Sequence, residues 1–190
     1  AGMMPLSPSV DVPGIFARSA RDVARLLGIV AGRDACDPRS SGLPVPDYEA
    51  SVERGVAGLR IGVPQNFFLE GVAGDVALRL QESLDALAAL GAEIVPVTVP
   101  APEHLTELSR VLVYSEAAAI HGPWLREHAE HYSPQVRMRA ATGLAIPAAA
   151  YQQVQQQRPG ILRRFVEMVF SSCDVLHLPT LGIPVPTLAE

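Results

Sequence analysis

Two serines near the start of the chain, Ser7 and Ser9 in the segment PLSPS, are the first residues whose type could perform covalent chemistry. A serine nucleophile needs a strained turn that exposes its hydroxyl, a base within hydrogen-bond distance and donors for the developing oxyanion. The sequence contains no G-x-S-x-G turn, which presents the serine in many hydrolases. Serine next to proline is typical of a structural turn, so we expect Ser7 and Ser9 to shape the backbone.

The basic residues limit the chemistry further. All 15 are arginines, and the chain contains no lysine. A mechanism in which a lysine acts as general base, Schiff-base amine or phosphate ligand is therefore excluded for these 190 residues taken alone. We assign no catalytic residue in this chain.

Histidines and glutamates are concentrated after position 120, where a metal site is conceivable. His121, His128 and His131 fall on one flank of a predicted helix, and Glu127 or Glu130 could supply a further ligand. Their spacing differs from the H-E-x-x-H pattern of zinc hydrolases. A stretch rich in Glu and His is more typical of a solvent-exposed helix face, so we expect no metal and no cofactor, and zinc is kept as a minor alternative.

A second acidic pair, Asp34 and Asp37 in GRDACDP, could in principle bind a cation. A calcium loop needs more oxygen ligands than this segment offers. We expect the two carboxylates to accept hydrogen bonds within turns of an ordered surface connection.

Composition excludes several classes of protein. The chain has 190 residues, 48% apolar and 18% charged, with a net charge of −5 and a mean hydropathy of +0.21. Such a chain is too apolar to be disordered, and without clustered cations it lacks a surface for nucleic acid. No stretch has the length and apolar content of a membrane span. Cys36 and Cys173 fit no metal or redox spacing, so we expect reduced thiols in a cytoplasmic protein.

Residues 1–100 predict an α/β arrangement. Ser19 begins an amphipathic helix. Residues 59–64 have the length and apolar content of a buried strand, and residues 92–100 predict a second strand. The segment between them predicts a helix that Asp75 caps and Gly91 ends. Strand, helix and strand within about forty residues predict a parallel βαβ unit.

The remainder is mainly helical. Residues 101–173 predict three or four helices, and 174–180, DVLHLPT, predict a returning buried strand. The breaks between the helices are expected at four places: Gly122-Pro123, Ser133-Pro134, 143–147 and Pro159-Gly160. The expected organisation is one incomplete domain over 1–190, in which residues 1–100 form a loop, a helix and the βαβ unit, residues 101–173 form the helical layer, and residues 174–190 form the returning strand and a loop.

Several segments together resemble the amidase signature family. The run from Met4 to Pro38 is similar to the family's segment downstream of its nucleophile, with Pro-Leu-Ser, Ser-Val-Asp and Ala-Arg in order, and with Ile15 where the family usually has proline. GLRIGVPQNFF resembles the family's next strand, and SEAAAIH resembles its Glu-Ala-Ala helix. Arg139, Gly143, Tyr151, Arg158, Phe165 and DVLHLPT follow in the family's order. The resemblance covers nearly the whole chain.

The resemblance implies a partial amidase-signature fold, an α/β fold with a mixed sheet, a parallel βαβ unit and a helical layer. It also implies a parent enzyme that hydrolyses a carboxamide C–N bond with a Ser–cis-Ser–Lys triad and an acyl-serine intermediate. By resemblance, both serines and the lysine lie upstream of Ala1, so the chain alone is expected to be inactive.

Two other functions stay open at this point. One is a noncatalytic scaffold or binding domain from a truncated gene. The other is the A-type subunit of a glutamine-dependent amidotransferase, although in that group the segment between the arginine-glycine pair and the tyrosine is longer and contains serine, unlike GLAIPAAAY here.

Arg139 is the one residue that the resemblance marks as substrate-binding. From its residue type, an arginine held by packing can bind a carboxylate with two parallel hydrogen bonds, whereas a surface arginine merely covers apolar neighbours. The Arg139-x-x-x-Gly143 pair is similar to the family position where an arginine reaches into the acyl pocket. We expect Gly143 to let the backbone turn there without a side chain filling the space. The expected partner is a small-molecule amide, with no nucleic acid and no membrane.

Overall fold

A computed structural model describes residues 2–187. Its helices and strands alternate in the first half of the chain and are followed by three consecutive helices. The bounds are α1 Ala20–Val30, β1 Arg60–Pro64, α2 Gly74–Ala89, β2 Glu93–Val97, α3 Pro102–Glu127, α4 Pro134–Gly143, α5 Ala148–Val169 and β3 Val175–Leu176, with short 3-10 helices at Glu49–Arg54 and Ala129–His131.

The three strands form one parallel sheet in the order β2-β1-β3. Arg60 lies opposite Glu93, and Ile61 lies opposite both Ile94 and Val175. The predicted parallel βαβ unit is therefore confirmed. A returning strand is also present, but it covers only Val175–Leu176 and Val175 is 41% exposed, so the buried strand expected over 174–180 is wrong in length and in burial. Over residues 2–187 the sheet contains parallel pairs only, so the antiparallel pairing of a mixed sheet is absent from these residues.

The two faces of β1 pack against different helices. Ile61 and Val63 form a buried cluster with Leu84 of α2. Gly62 points to the opposite face because side chains alternate along a strand. A Cβ atom at Gly62 would lie 2.7 Å from the Sγ of Cys173, next to the cluster around Val169 at the end of α5. α2 therefore covers one face of the sheet and the end of α5 covers the other.

The helix ends agree with the sequence in one case and differ in the other. Ser19 caps α1, since its Oγ accepts a hydrogen bond from the backbone N–H of Asp22. The expected cap of α2 by Asp75 is wrong, because α2 begins at Gly74 after an extended Ala73. Asp75 lies inside the first turn, where its carboxylate offsets the positive end of the helix dipole.

Two of the four expected helix breaks are also wrong. α3 continues through Gly122-Pro123 and α5 continues through Pro159-Gly160. A proline inside a helix removes one backbone hydrogen bond. Buried residues on both sides, such as Val154 and Val169 in α5, keep the flanking turns packed. Within the described portion of the chain, no helix combines the length and the hydropathy needed to cross a bilayer.

Candidate functional site

Glu116, in the middle of α3, is the centre of a network of hydrogen-bonded groups. Its Oε2 accepts a hydrogen bond of 2.8 Å from the hydroxyl of Ser7 and one of 3.0 Å from the backbone N–H of Ser9. Its Oε1 accepts a hydrogen bond of 3.0 Å from the hydroxyl of Tyr151 in α5. One carboxylate thus joins the N-terminal turn, α3 and α5.

The electrostatics favour the ionised form of this carboxyl group. Partial burial of Glu116 raises its pKa, but the hydrogen bonds from the Ser9 backbone, Ser7 and Tyr151 lower it by more. The net pKa therefore lies below the ordinary value for glutamate. Glu116 is a charged hydrogen-bond acceptor near neutral pH.

Further hydrogen bonds hold the turn of residues 5–11, which we call the N-terminal turn. Buried His121 of α3 contacts the carbonyl oxygen of Pro5 through Nε2 at 3.0 Å, and the hydroxyl of Tyr132 through Nδ1 at 2.9 Å. Arg158 of α5 donates a hydrogen bond of 2.8 Å to the carbonyl oxygen of Ser9. Both ring nitrogens of His121 are therefore hydrogen-bonded, and His121 is not a member of a metal site. The zinc alternative, which counted His121 among the ligands, is wrong on this point.

The two serines of PLSPS lie inside this network. Ser7 is 0% exposed, and its hydroxyl donates to Glu116. The Oγ atom of Ser9 is buried and has no hydrogen-bond partner among residues 2–187. A nucleophile needs an accessible oxygen and a base that accepts its proton. The geometry supports the structural role that the sequence predicts.

A cavity of about 550 Å³ lies beside Glu116, between α3, α4 and α5. Its wall is mostly apolar, with Ala118, Leu144 and Ile146, and its polar groups include Glu116, Tyr151 and Arg126. This volume is within the range of small-molecule sites.

Arg139 lies on α4 with an exposed side chain. It borders a second, smaller cavity of about 160 Å³ together with Leu6 of the N-terminal turn and Tyr114 of α3. Tyr151 lines the larger cavity instead. Arg139 and Tyr151, two of the residues that carry the family resemblance, therefore border different cavities.

Gly143 serves a different purpose from the expected one. It is the last residue of α4, and a Cβ atom there would lie 1.9 Å from the backbone oxygen of Tyr114 and 2.7 Å from the Cβ of Ala118. Its φ is not in the left-handed region that favours glycine. Glycine is required because α3 and α4 approach each other closely, and not because the chain turns.

Of the remaining candidates, Asp34 and Asp37 are placed as the sequence predicts, whereas His128 and His131 are not. Asp34 accepts a hydrogen bond from the N–H of Cys36, and Asp37 accepts one from the N–H of Arg39, as expected for turn residues. α3 ends at Glu127, so His128 lies between α3 and the following 3-10 helix, His131 lies at the end of that 3-10 helix, and neither is on the expected helix flank.

The sequence motifs did not identify Glu116 as the centre of this hydrogen-bond network. The signal was its position in SEAAAIH, where Ala117 and Ala118 are buried. A carboxylate next to buried positions on a helix needs hydrogen-bond donors from elsewhere in the chain. Those donors come from more than 100 residues upstream and from α5, and the sequence does not indicate which they are.

Comparison with known proteins gives the family. The sequence model of the family described as Amidase matches residues 1–190. An amidase of Pseudomonas putida is 39% identical over 190 positions, covering 100% of this chain and 41% of that protein. The A-type subunit of the glutamyl-tRNA(Gln) amidotransferase of Acidobacterium capsulatum is 29% identical over 212 positions, covering 100% of this chain and 44% of that protein.

A solved structure described as a crystal structure of an amidase matches with a TM-score of 0.80 and 32% identity, over 100% of this chain and 39% of that one. The chain thus spans about two fifths of the length of these relatives. This chain belongs to the amidase family.

Proposed function

We propose that this chain is a segment of an amidase whose complete form hydrolyses a carboxamide C–N bond through an acyl-serine intermediate. The observation that carries the proposal is a family match over all 190 residues of a chain that contains no lysine. In the mechanism implied by the resemblance, an unprotonated lysine accepts, through a bridging serine, the proton of the nucleophilic serine. The serine oxygen attacks the carbonyl carbon, the amine leaves with a proton, and water hydrolyses the acyl-serine ester.

The triad of this mechanism belongs outside these residues. The base is a lysine, which this chain does not have, and the hydroxyl groups of Ser7 and Ser9 are buried. What this chain supplies is an incomplete domain with a portion of the sheet and a helical wall, residues 102–172, beside the acyl pocket. The apolar cavity between α3, α4 and α5 supports that role for the wall.

Arg139 is the proposed contact to substrate. Its guanidinium makes no hydrogen bond or ion pair with any residue from 2 to 187 and borders a cavity beside the N-terminal turn, so its donors are free for a ligand. A planar guanidinium binds a carboxylate with two parallel hydrogen bonds, whereas a lysine ammonium provides a point charge only.

The amidotransferase function is the second candidate, because A-type subunits are among the relatives. The alignment with the Acidobacterium protein needs 212 positions for a chain of 190 residues, so that relative carries segments this chain lacks. The Pseudomonas amidase aligns over 190 positions without such segments. This difference favours a hydrolase over a transferase. The free thiols of Cys36 and Cys173 fit a cytoplasmic location.

Amide hydrolysis by the full gene product and by the 190-residue chain tests the proposal. We expect the full product to release ammonia or amine from small carboxamides and the chain alone to release none. A full product that binds amides without turning them over would support the scaffold alternative instead. Turnover by the chain alone that is lost on Ser7→Ala or Ser9→Ala would contradict the assignment of the triad.

A substitution at Arg139 tests the substrate contact. In the full gene product, Arg139→Lys should raise KM about tenfold for amides that carry a carboxylate and change it little for neutral amides, because lysine keeps the charge and loses the paired hydrogen bonds. Arg137→Lys, on the same helix, is the matched control. Equal effects of Arg139→Lys on both kinds of amide would make Arg139 a structural residue.

A further inference from the structure

The turn after α3 brings two imidazoles and a carboxylate together at the surface. Glu130 Oε1 lies 3.9 Å from His128 Nδ1 and 3.7 Å from His131 Nε2. One ligand atom from each of the three side chains lies within 4.8 Å of the other two. This cluster is distinct from the network around Glu116, which engages His121.

The backbone keeps the three side chains close. The N–H of His128 donates a hydrogen bond of 2.7 Å to the carbonyl oxygen of Trp124, which closes the last turn of α3. The N–H of His131 then donates one of 3.1 Å to the carbonyl oxygen of His128. Tyr132, the next residue, is anchored by its hydroxyl to buried His121. The three ligands lie within four consecutive residues, and hydrogen bonds fix both ends of that segment.

We propose that His128, Glu130 and His131 bind a divalent transition metal ion of the zinc class, with water completing the coordination. Zinc bonds of about 2.0–2.1 Å in a tetrahedral site place neighbouring ligand atoms about 3.3 Å apart. The two distances to Glu130 exceed that value by about 0.5 Å. The three side chains are between 44% and 68% exposed, so they can rotate to close the gap.

The donor set decides the class of metal. Two imidazole nitrogens with one carboxylate oxygen suit Zn²⁺, Ni²⁺ and Cu²⁺, whereas Mg²⁺ and Ca²⁺ prefer oxygen ligands throughout. The bound ion would join the end of α3 to the turn that leads into α4. It would stabilise the folded chain by mass action, because the folded turn fixes the arrangement of the three ligands and the unfolded chain does not.

The chain contains its own reporter for this site. Trp124 is the single tryptophan, and its ring centroid lies 5.5 Å from that of His128. An open-shell ion such as Ni²⁺ bound at the cluster quenches the fluorescence of a tryptophan so close, whereas closed-shell Zn²⁺ does not. An excess of Zn²⁺ should compete with Ni²⁺ for the site, and the emission should return as Zn²⁺ replaces the quencher.

The experiment titrates the 190-residue chain with Ni²⁺, followed by Zn²⁺, while Trp124 fluorescence is recorded. The exposed thiol of Cys36 is removed by Cys36→Ser in every sample, because thiolates also bind these ions. Glu130→Gln and His131→Ala remove ligands and leave the contact between Trp124 and His128 in place. His104→Ala, on an exposed position in the first turn of α3, is the matched control.

The proposal requires saturable 1:1 quenching with a Kd of roughly 0.1 mM or less, reversed by Zn²⁺. Glu130→Gln should raise the Kd at least about tenfold, His131→Ala should abolish saturation, and His104→Ala should change neither. Zn²⁺ should also raise the Tm of the parent chain and not that of His131→Ala. Quenching that does not saturate, or that persists unchanged in both ligand variants, would overturn it.

Discussion

The close approach of α3 and α4 at Gly143 allows a quantitative prediction. In Gly143→Ala the new Cβ would lie 1.9 Å from the backbone oxygen of Tyr114. An ordinary carbon–oxygen contact is more than about 1 Å longer, so α3 and α4 must move apart by that amount. A backbone oxygen inside a helix cannot rotate away as a side chain does.

The expected net cost is about 2–3 kcal/mol of unfolding free energy. Overpacking of a buried contact typically costs about 1–3 kcal/mol, and a collision with backbone belongs to the upper end. The better helix propensity of alanine returns up to about 1 kcal/mol. The larger cavity, which Gly143 also lines, should change shape as the helices separate.

Gly160→Ala is the matched control. Gly160 lies inside α5, and a Cβ there would meet nothing within 4 Å. The same substitution should therefore stabilise the chain, by about 0.5–1 kcal/mol. Urea unfolding of the two variants and the parent chain, followed by circular dichroism, measures both effects. If Gly143→Ala is as stable as the parent, or if both variants lose the same free energy, the close helix approach is not real.

Other substitutions test the polar contacts. Glu116→Gln should cost about 1–3 kcal/mol, because one amide oxygen cannot accept all the hydrogen bonds of the carboxylate, and Tyr151→Phe should cost about 0.5–1.5 kcal/mol; unchanged urea midpoints would contradict the network. Asp174, between α5 and β3, has a pKa lowered by its hydrogen bonds to the Arg60 side chain and backbone. A carboxyl whose folded pKa lies below its unfolded value stabilises the fold above about pH 4 and loses that contribution as pH falls further. Asp174→Asn should therefore make stability less dependent on pH below about pH 4, and an unchanged acid transition would contradict it.

Local patterns account for what the sequence predicts well. The cap at Ser19, the helix stop at Gly91 and the apolar strand around Ile61 depend on residues close to one another in the chain, and all three are found in the structure. The order of strand, helix and strand then leaves little choice but a right-handed parallel unit. The fold class follows from these segments.

The errors come from contacts between distant residues. A proline such as Pro123 or Pro159 would end an isolated helix. In the folded chain, tertiary packing keeps α3 continuous at Pro123 and α5 continuous at Pro159. The role of Gly143 depends on Tyr114 of another helix, 29 positions away. The same is true of Glu116, whose donors lie in the N-terminal turn and in α5. No local spacing encodes such partners, so the centre of the site emerges only from the structure.

The central proposal is that these residues form the wall of an amidase and that the nucleophile lies elsewhere in the complete protein. Its most direct test is the position of a covalent adduct. The 190-residue chain and the full translation product of its gene are each treated with a serine-reactive fluorophosphonate, and the adduct is located by peptide mass mapping. The proposal predicts no adduct on any serine of the chain, and one on a serine outside residues 1–190 in a longer product that also loses carboxamide turnover. An adduct on Ser7 or Ser9, or turnover by a gene product limited to these residues, would contradict it.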